Sequence, residues 1–164
     1  GRPSTFDRSF ASKMKELKFE FEFFVDHLQR GFDVGRCVWN WKAKYRGHKG
    51  TRPVMSRIRA DKGWQPSGLK VVRGQIYRYT TEGMWRTSGD SEEVSADGDP
   101  SGTGKLIGVL FNDYQLGTPF ELGDEGEVTA PDDGQLLLRC RDEWNQLSDN
   151  KGTISVGLMS SENG

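Results

Sequence analysis

Apolar and polar residues alternate strictly over residues 17–23, Leu17-Lys18-Phe19-Glu20-Phe21-Glu22-Phe23. A period of two is the signature of a half-buried strand, so this stretch is predicted to be one. Its Phe19-Phe21-Phe23 face then needs a second sheet or another subunit to cover it. A polar or briefly helical connection over residues 26–35 leads to a second alternating run, residues 37–45. There Trp39, Trp41, Ala43 and Tyr45 share one face, and Asn40, Lys42 and Lys44 share the other. Further strand-like runs occupy residues 53–60, 69–72, 75–80, 106–111, 118–123, 128–134, 136–140 and 153–158, separated by turns rich in Gly and Asp. Many short strands with such punctuation predict an all-β chain, a jelly-roll-like β-sandwich with an N-terminal β elaboration. The expected organisation is an N-terminal arm over residues 1–16, N-terminal strands over 17–63 belonging to the same sandwich, and the main sandwich over 64–160.

Composition narrows the picture. The chain has 164 residues, enough for one sizeable domain, and its 21 Gly suit a turn-rich β protein. No apolar run approaches the length of a membrane span. The two cysteines, Cys37 and Cys140, are too few for a disulfide scaffold and leave two states open, one disulfide or two thiols. A net charge of -1 conceals an uneven distribution. Residues 42–73 carry ten Lys or Arg against one acidic residue, Asp61, whereas residues 82–164 carry seventeen Asp or Glu against five Lys or Arg. Such a split suits internal pairing, a basic binding face, or a homo-oligomer in which basic 42–73 docks on the acidic C-terminal half.

The chemistry-bearing segment is Asp142-Glu143-Trp144-Asn145-Gln146-Leu147-Ser148-Asp149-Asn150-Lys151-Gly152, lying between two strand-like runs. It places the side-chain oxygens of Asp142, Asp149 and Asn150 on one short loop with a glycine at its exit. Calcium takes six to eight oxygens from carboxylates, amides, backbone carbonyls and water, and a curled loop can bring such groups to one point. The same residue types also make ordinary polar turns.

The order of elements around that loop resembles the calcium-dependent galactose-binding lectins of bacteria, the galactophilic lectin I family, over roughly residues 64–158. That family holds calcium in an Asp-x-x-x-(carbonyl)-x-x-Asn-Asn loop, and sugar hydroxyls coordinate the ion. Asp142, Gln146, Asp149 and Asn150 fall on this spacing. A carbonyl from an earlier loop completes the family's site, which here implies Thr87 or Ser88. The resemblance therefore implies Ca2+ as cofactor, held by Asp142, Gln146, Asp149, Asn150 and Thr87 or Ser88. It implies a carbohydrate partner of galactose type, met by Asp142, Glu143, Trp144 and Asn150, with the Trp144 ring offered to a sugar's apolar face. Two departures stand out. Asp149 replaces an asparagine, and the family's His-Pro-x-Gln sugar loop has no counterpart around Asp99-Pro100. The implied protein is a non-catalytic binding module, extracellular, at the cell surface or periplasmic.

Other motifs do not hold up. The sequence Ser101-Gly102-Thr103-Gly104-Lys105 ends like a phosphate-binding loop, but Asp99 and Leu106 occupy positions where that motif needs Gly and Ser or Thr. His27 and His48 lack metal-protease spacing, and the Glu92-Glu93 and Asp132-Asp133 pairs sit in polar turns. No enzyme chemistry is expected. Residues 40–49 interleave aromatics with basic residues, as single-strand nucleic-acid sites do. Their alternation assigns the rings to a core face instead, so nucleic acid is not expected as a partner. The rival reading is a structural, self-assembling β-sandwich subunit in which any calcium is purely structural. A long acidic insert over residues 86–105 borders the candidate loop in either case.

Overall fold

The computed structural model describes residues 5–29 and 44–161. Within them the fold is an all-β sandwich of two antiparallel sheets with one long helix, α1 (Thr5–Gln29), laid on it. The first sheet has the order β1 (Val54–Arg59), β10 (Lys151–Ser160), β3 (Ile76–Glu82) and β8 (Glu125–Thr129), with the short β4 (Trp85–Arg86) also pairing with β10. The second has the order β2 (Gln65–Val71), β9 (Gly134–Cys140), β5 (Leu106–Asn112) and β6 (Gln115–Leu116), with β7 (Phe120–Glu121) also on β5. Arg46 adds a single parallel bridge at the β2 edge, its N–H donating to the Gly68 carbonyl at 3.0 Å.

Strand alternation sorts the apolar residues of the second sheet onto two faces. Leu106, Leu110, Leu136, Leu138 and Cys140 point into the sandwich and pack with Ile58, Tyr77, Tyr79, Val156 and Leu158 of the first sheet. Ile107, Val109, Phe111 and Leu137 point outward and form a second buried cluster with Trp64. This two-sided burial explains why residues 106–111 read as a nearly continuous apolar run rather than an alternating one.

The element covering that outer face corrects the N-terminal expectation. Residues 17–23 are helical, not a strand, and residues 5–16 belong to the same helix instead of an irregular arm. On a helix of 3.6 residues per turn, Phe19 and Phe23 lie on one face and Phe21 on another. Phe19 sits 5.2 Å from Phe111, centroid to centroid, and the Lys15 ammonium pairs with Asp113 at 3.3 Å. Over residues 5–29 the N-terminal elaboration is therefore a helix on the sandwich rather than a strand, while β1, within the expected span 17–63, joins the first sheet. The strand expected over residues 37–45 lies outside the described residues, apart from Lys44 and Tyr45. Cys37 lies outside them too, and Cys140 is a buried free thiol whose pKa burial pushes up to about 12. Among the described residues no helix is long and apolar enough to cross a membrane.

Candidate metal and ligand site

Residues 141–150 connect β9 to β10 and contain a single 3-10 turn, Trp144–Gln146. The loop is anchored at both ends and in the middle. Leu147 is fully buried, and its carbonyl accepts from the Asn150 N–H at 3.0 Å. The Asn150 side chain, 3% exposed, donates through Nδ2 to the carbonyl of Ala60 at 3.0 Å, ninety residues away in sequence. At the other end Arg139, 4% exposed, reaches up from β9. Its Nε donates to the Cys140 carbonyl at 3.1 Å, and its Nη2 to the carbonyl of Asp142. The guanidinium lies 3.9 Å from the centre of the Trp144 ring and 5.4 Å from that of Trp64. Burial lowers the Arg139 pKa to about 10, which still leaves it charged at neutral pH. A buried cation stacked on two rings and bonded to a carbonyl is a strong fixed point.

These anchors leave two oxygens without partners. Asp142 Oδ1 accepts from the Glu143 N–H at 2.8 Å, while Oδ2 is buried and has no hydrogen-bond donor. Asn150 Oδ1 is likewise buried and unpaired. Burial raises the Asp142 carboxyl above its ordinary range and the neighbouring Asp149 charge adds to this, against lowering by the Glu143 amide, the Asn150 side chain and Arg139. Asp142, Asp149 and Asn150 are thus close enough to act on one another. A buried oxygen lacking a donor costs roughly 1–3 kcal/mol, and a cation is one remedy.

Further groups flank this point. Gln146 ends the 3-10 turn, where carbonyls have no partner within the turn. Strand β10 pairs Gly152 with Trp85 and Lys151 with Arg86. Thr87 and Ser88 follow directly after this pairing on one side, and Asn150 directly precedes it on the other. The approach is close because two glycines allow it. A Cβ on Gly152 (φ +104°) would lie 2.8 Å from the Met84 carbonyl, and one on Gly83 (φ +111°) would lie 2.8 Å from that of Thr153. The Ser88 carbonyl accepts from Ser91 Oγ at 3.2 Å and keeps a second lone pair.

Of the six residues predicted as metal ligands, Asp142, Gln146, Asp149 and Asn150 lie on this one loop, and Thr87 and Ser88 follow β4, which pairs with the strand leaving it. Among the described residues no three His, Cys, Asp or Glu side chains cluster as a metal site. The donors here are two carboxylates, one amide and carbonyls, an all-oxygen set that suits calcium and not zinc. The orphaned Asp142 and Asn150 oxygens fit that ion. Glu143 is exposed, and the Trp144 ring is half-buried on Arg139, which accounts for its place in the loop. Sequence reasoning missed Arg139 and the Ala60 carbonyl. The signal for Arg139 was a lone cation inside the apolar run Leu136-Leu137-Leu138-Arg139-Cys140. The acidic insert is fastened alongside, since Trp85 Nε1 donates to the Gly104 carbonyl at 2.6 Å.

No protein-family profile matches the chain, and no curated protein matches it. Among solved structures the fold is similar to "EclA N-terminal domain; PllA-like lectin", with a TM-score of 0.51, 18% identity, and coverage of 65% of this chain and 95% of that one. A functionally unknown conserved protein from Bacillus anthracis str. Ames, in mutant form, aligns over 66% of this chain and 22% of its own at a TM-score of 0.37 and 11% identity. The first of these supports the β-sandwich fold.

Proposed function

We propose that this protein is a non-catalytic carbohydrate-binding module that holds calcium in the loop formed by residues 142–150. The carrying observation is the pair of buried, donor-less oxygens, Asp142 Oδ2 and Asn150 Oδ1, on a lectin-like sandwich. Asp142 and Asp149 supply charge, Asn150 a neutral oxygen, and Gln146 with Thr87 or Ser88 the carbonyls. Arg139 fixes the Asp142 backbone, and the Asn150 bond to Ala60 fixes the amide, so little reorganisation accompanies loading. Bound calcium would supply coordination positions for two neighbouring hydroxyls of a sugar. Glu143, at the exposed rim, would orient those hydroxyls by hydrogen bonding. Galactose is the first sugar to test, although the segment around Asp99-Pro100 offers no His-Pro-x-Gln loop to select it.

Thermal unfolding of metal-free protein, with and without calcium and galactose or a glycan panel, tests the reading. A ligand at 100 times its Kd that binds only the folded state adds about 2.7 kcal/mol. A calcium shift that grows with sugar supports the proposal. A calcium shift that no sugar enlarges contradicts the carbohydrate half and favours a purely structural ion.

A further inference from the structure

Helix α1 has two apolar faces, and among the described residues only one is packed on the sandwich. Phe19 docks on the second sheet. On the opposite side Phe10, Met14, Leu17 and Phe21 are 60%, 50%, 47% and 70% exposed. Their spacing of four, three and four residues is that of the core positions of a coiled coil. Together they expose an apolar stripe on the order of several hundred Å2, a size that marks an interaction surface.

We propose that this stripe is covered by α1 of a second copy of the chain, in a two-fold symmetric antiparallel pair. The charged residues flanking the stripe choose both partner and direction. Antiparallel packing with Met14 facing Leu17 of the other protomer also sets Phe10 against its Phe21, so all four layers close on themselves. In that register Lys13 of each protomer lies beside Glu20 of the other, twice by symmetry. A parallel pair would instead bring Lys13 against Lys18, two like charges. Because the stripe points away from the sandwich, both sandwiches remain on the outside of the pair. A standard interface uses roughly 800 Å2 from each partner. The stripe with the aliphatic stems of Lys13, Lys18 and Glu20 falls below or near this, so the dimer is concentration-dependent. It is independent of the calcium loop, and if that loop binds a glycan the pair displays two sites for multivalent attachment.

Sedimentation velocity of the full chain over a micromolar concentration series tests this, with circular dichroism confirming that each variant keeps its fold. Dimer should grow with concentration, and Leu17→Asp should leave monomer throughout. Lys13→Glu and Glu20→Lys should each weaken the dimer severalfold, and the double swap should restore it. A monomer at every concentration overturns the proposal, as it would if residues 30–43 of the same chain or another partner cover the stripe. A dimer that survives Leu17→Asp, or a double swap as weak as either single one, overturns it equally.

Discussion

Two aspartate-rich loops of this sandwich have opposite electrostatic characters. In the segment around residues 97–103, carboxylates are satisfied by the backbone. Asp99 Oδ1 accepts from the Ser101 N–H and hydroxyl and from the Thr103 N–H, at 2.9, 2.5 and 3.0 Å. Asp97 and Asp124 exchange bonds, each carboxylate accepting from the other's N–H at 2.9–3.0 Å. In the loop of residues 142–150, Asp142 Oδ2 and Asn150 Oδ1 are buried with nothing to accept from. The Ser101 hydroxyl holds the Asp99 carboxyl below its ordinary range, whereas burial pushes that of Asp142 above it. The carboxylates of the first loop have their donors as folded, whereas the second keeps two buried oxygens without one, even with the Arg139 guanidinium nearby. Composition alone does not separate a turn from a ligand cage; satisfaction of the oxygens does.

The largest effect that would break this contrast is on calcium. Asp142→Ala should weaken calcium binding at least about a hundredfold, since carboxylate count sets affinity, whereas Asp99→Ala should leave it unchanged in the same calorimetric titration. Next comes the backbone that brings the two sides of the site together. Gly152→Ala places a methyl 2.8 Å from the Met84 carbonyl and the Trp85 Cα at a positive φ. It should lower stability in urea by about 2 kcal/mol and weaken calcium binding with it. Trp144→Ala, which bares Arg139, should cost about 1 kcal/mol and loosen the loop.

How far the sequence revealed these features depends on their range along the chain. The candidate ligands were legible because Asp142, Gln146, Asp149 and Asn150 lie within nine consecutive residues. What makes two of them special was not, since the Asn150 amide is held by Ala60, and burial of Asp142 Oδ2 follows from packing of distant strands. Most of the longer strands from Val54 onward were legible from apolar runs bounded by turn residues, whereas the two-residue strands β4 and β6 were not. The helix was misread because Phe19, Phe21 and Phe23 alternate with charged residues over seven positions. Only the longer spacing of Phe10, Met14, Leu17 and Phe21 reveals the helical period. Glu20 and Glu22 fit either structure, and a short window cannot decide between them.

Two smaller effects sharpen the same comparison through protons. Asp142→Asn keeps the shape and removes the buried charge. It should raise the stability of metal-free protein by about 1 kcal/mol while abolishing the proposed calcium binding. The pH dependences should also have opposite signs. A raised pKa in the folded state means that metal-free protein gains stability from Asp142 as pH falls through that raised value. The lowered pKa of Asp99 gives stability present above the ordinary carboxylate range and lost as pH falls through the folded value. Carboxyl NMR titration of metal-free protein should therefore show Asp142 protonating first on acidification and Asp99 well after it. Calcium affinity should decline over the Asp142 range, because the ion and the proton compete for one carboxylate.

The most direct test of the account is a calorimetric titration of calcium into the 164-residue chain, verified as metal-free, at neutral pH. One ion binding per chain, with the signal lost in Asp142→Ala and kept in Asp99→Ala, is the predicted result. No binding, or binding that survives loss of the Asp142 carboxylate, would contradict the claim that the two orphaned oxygens await a cation.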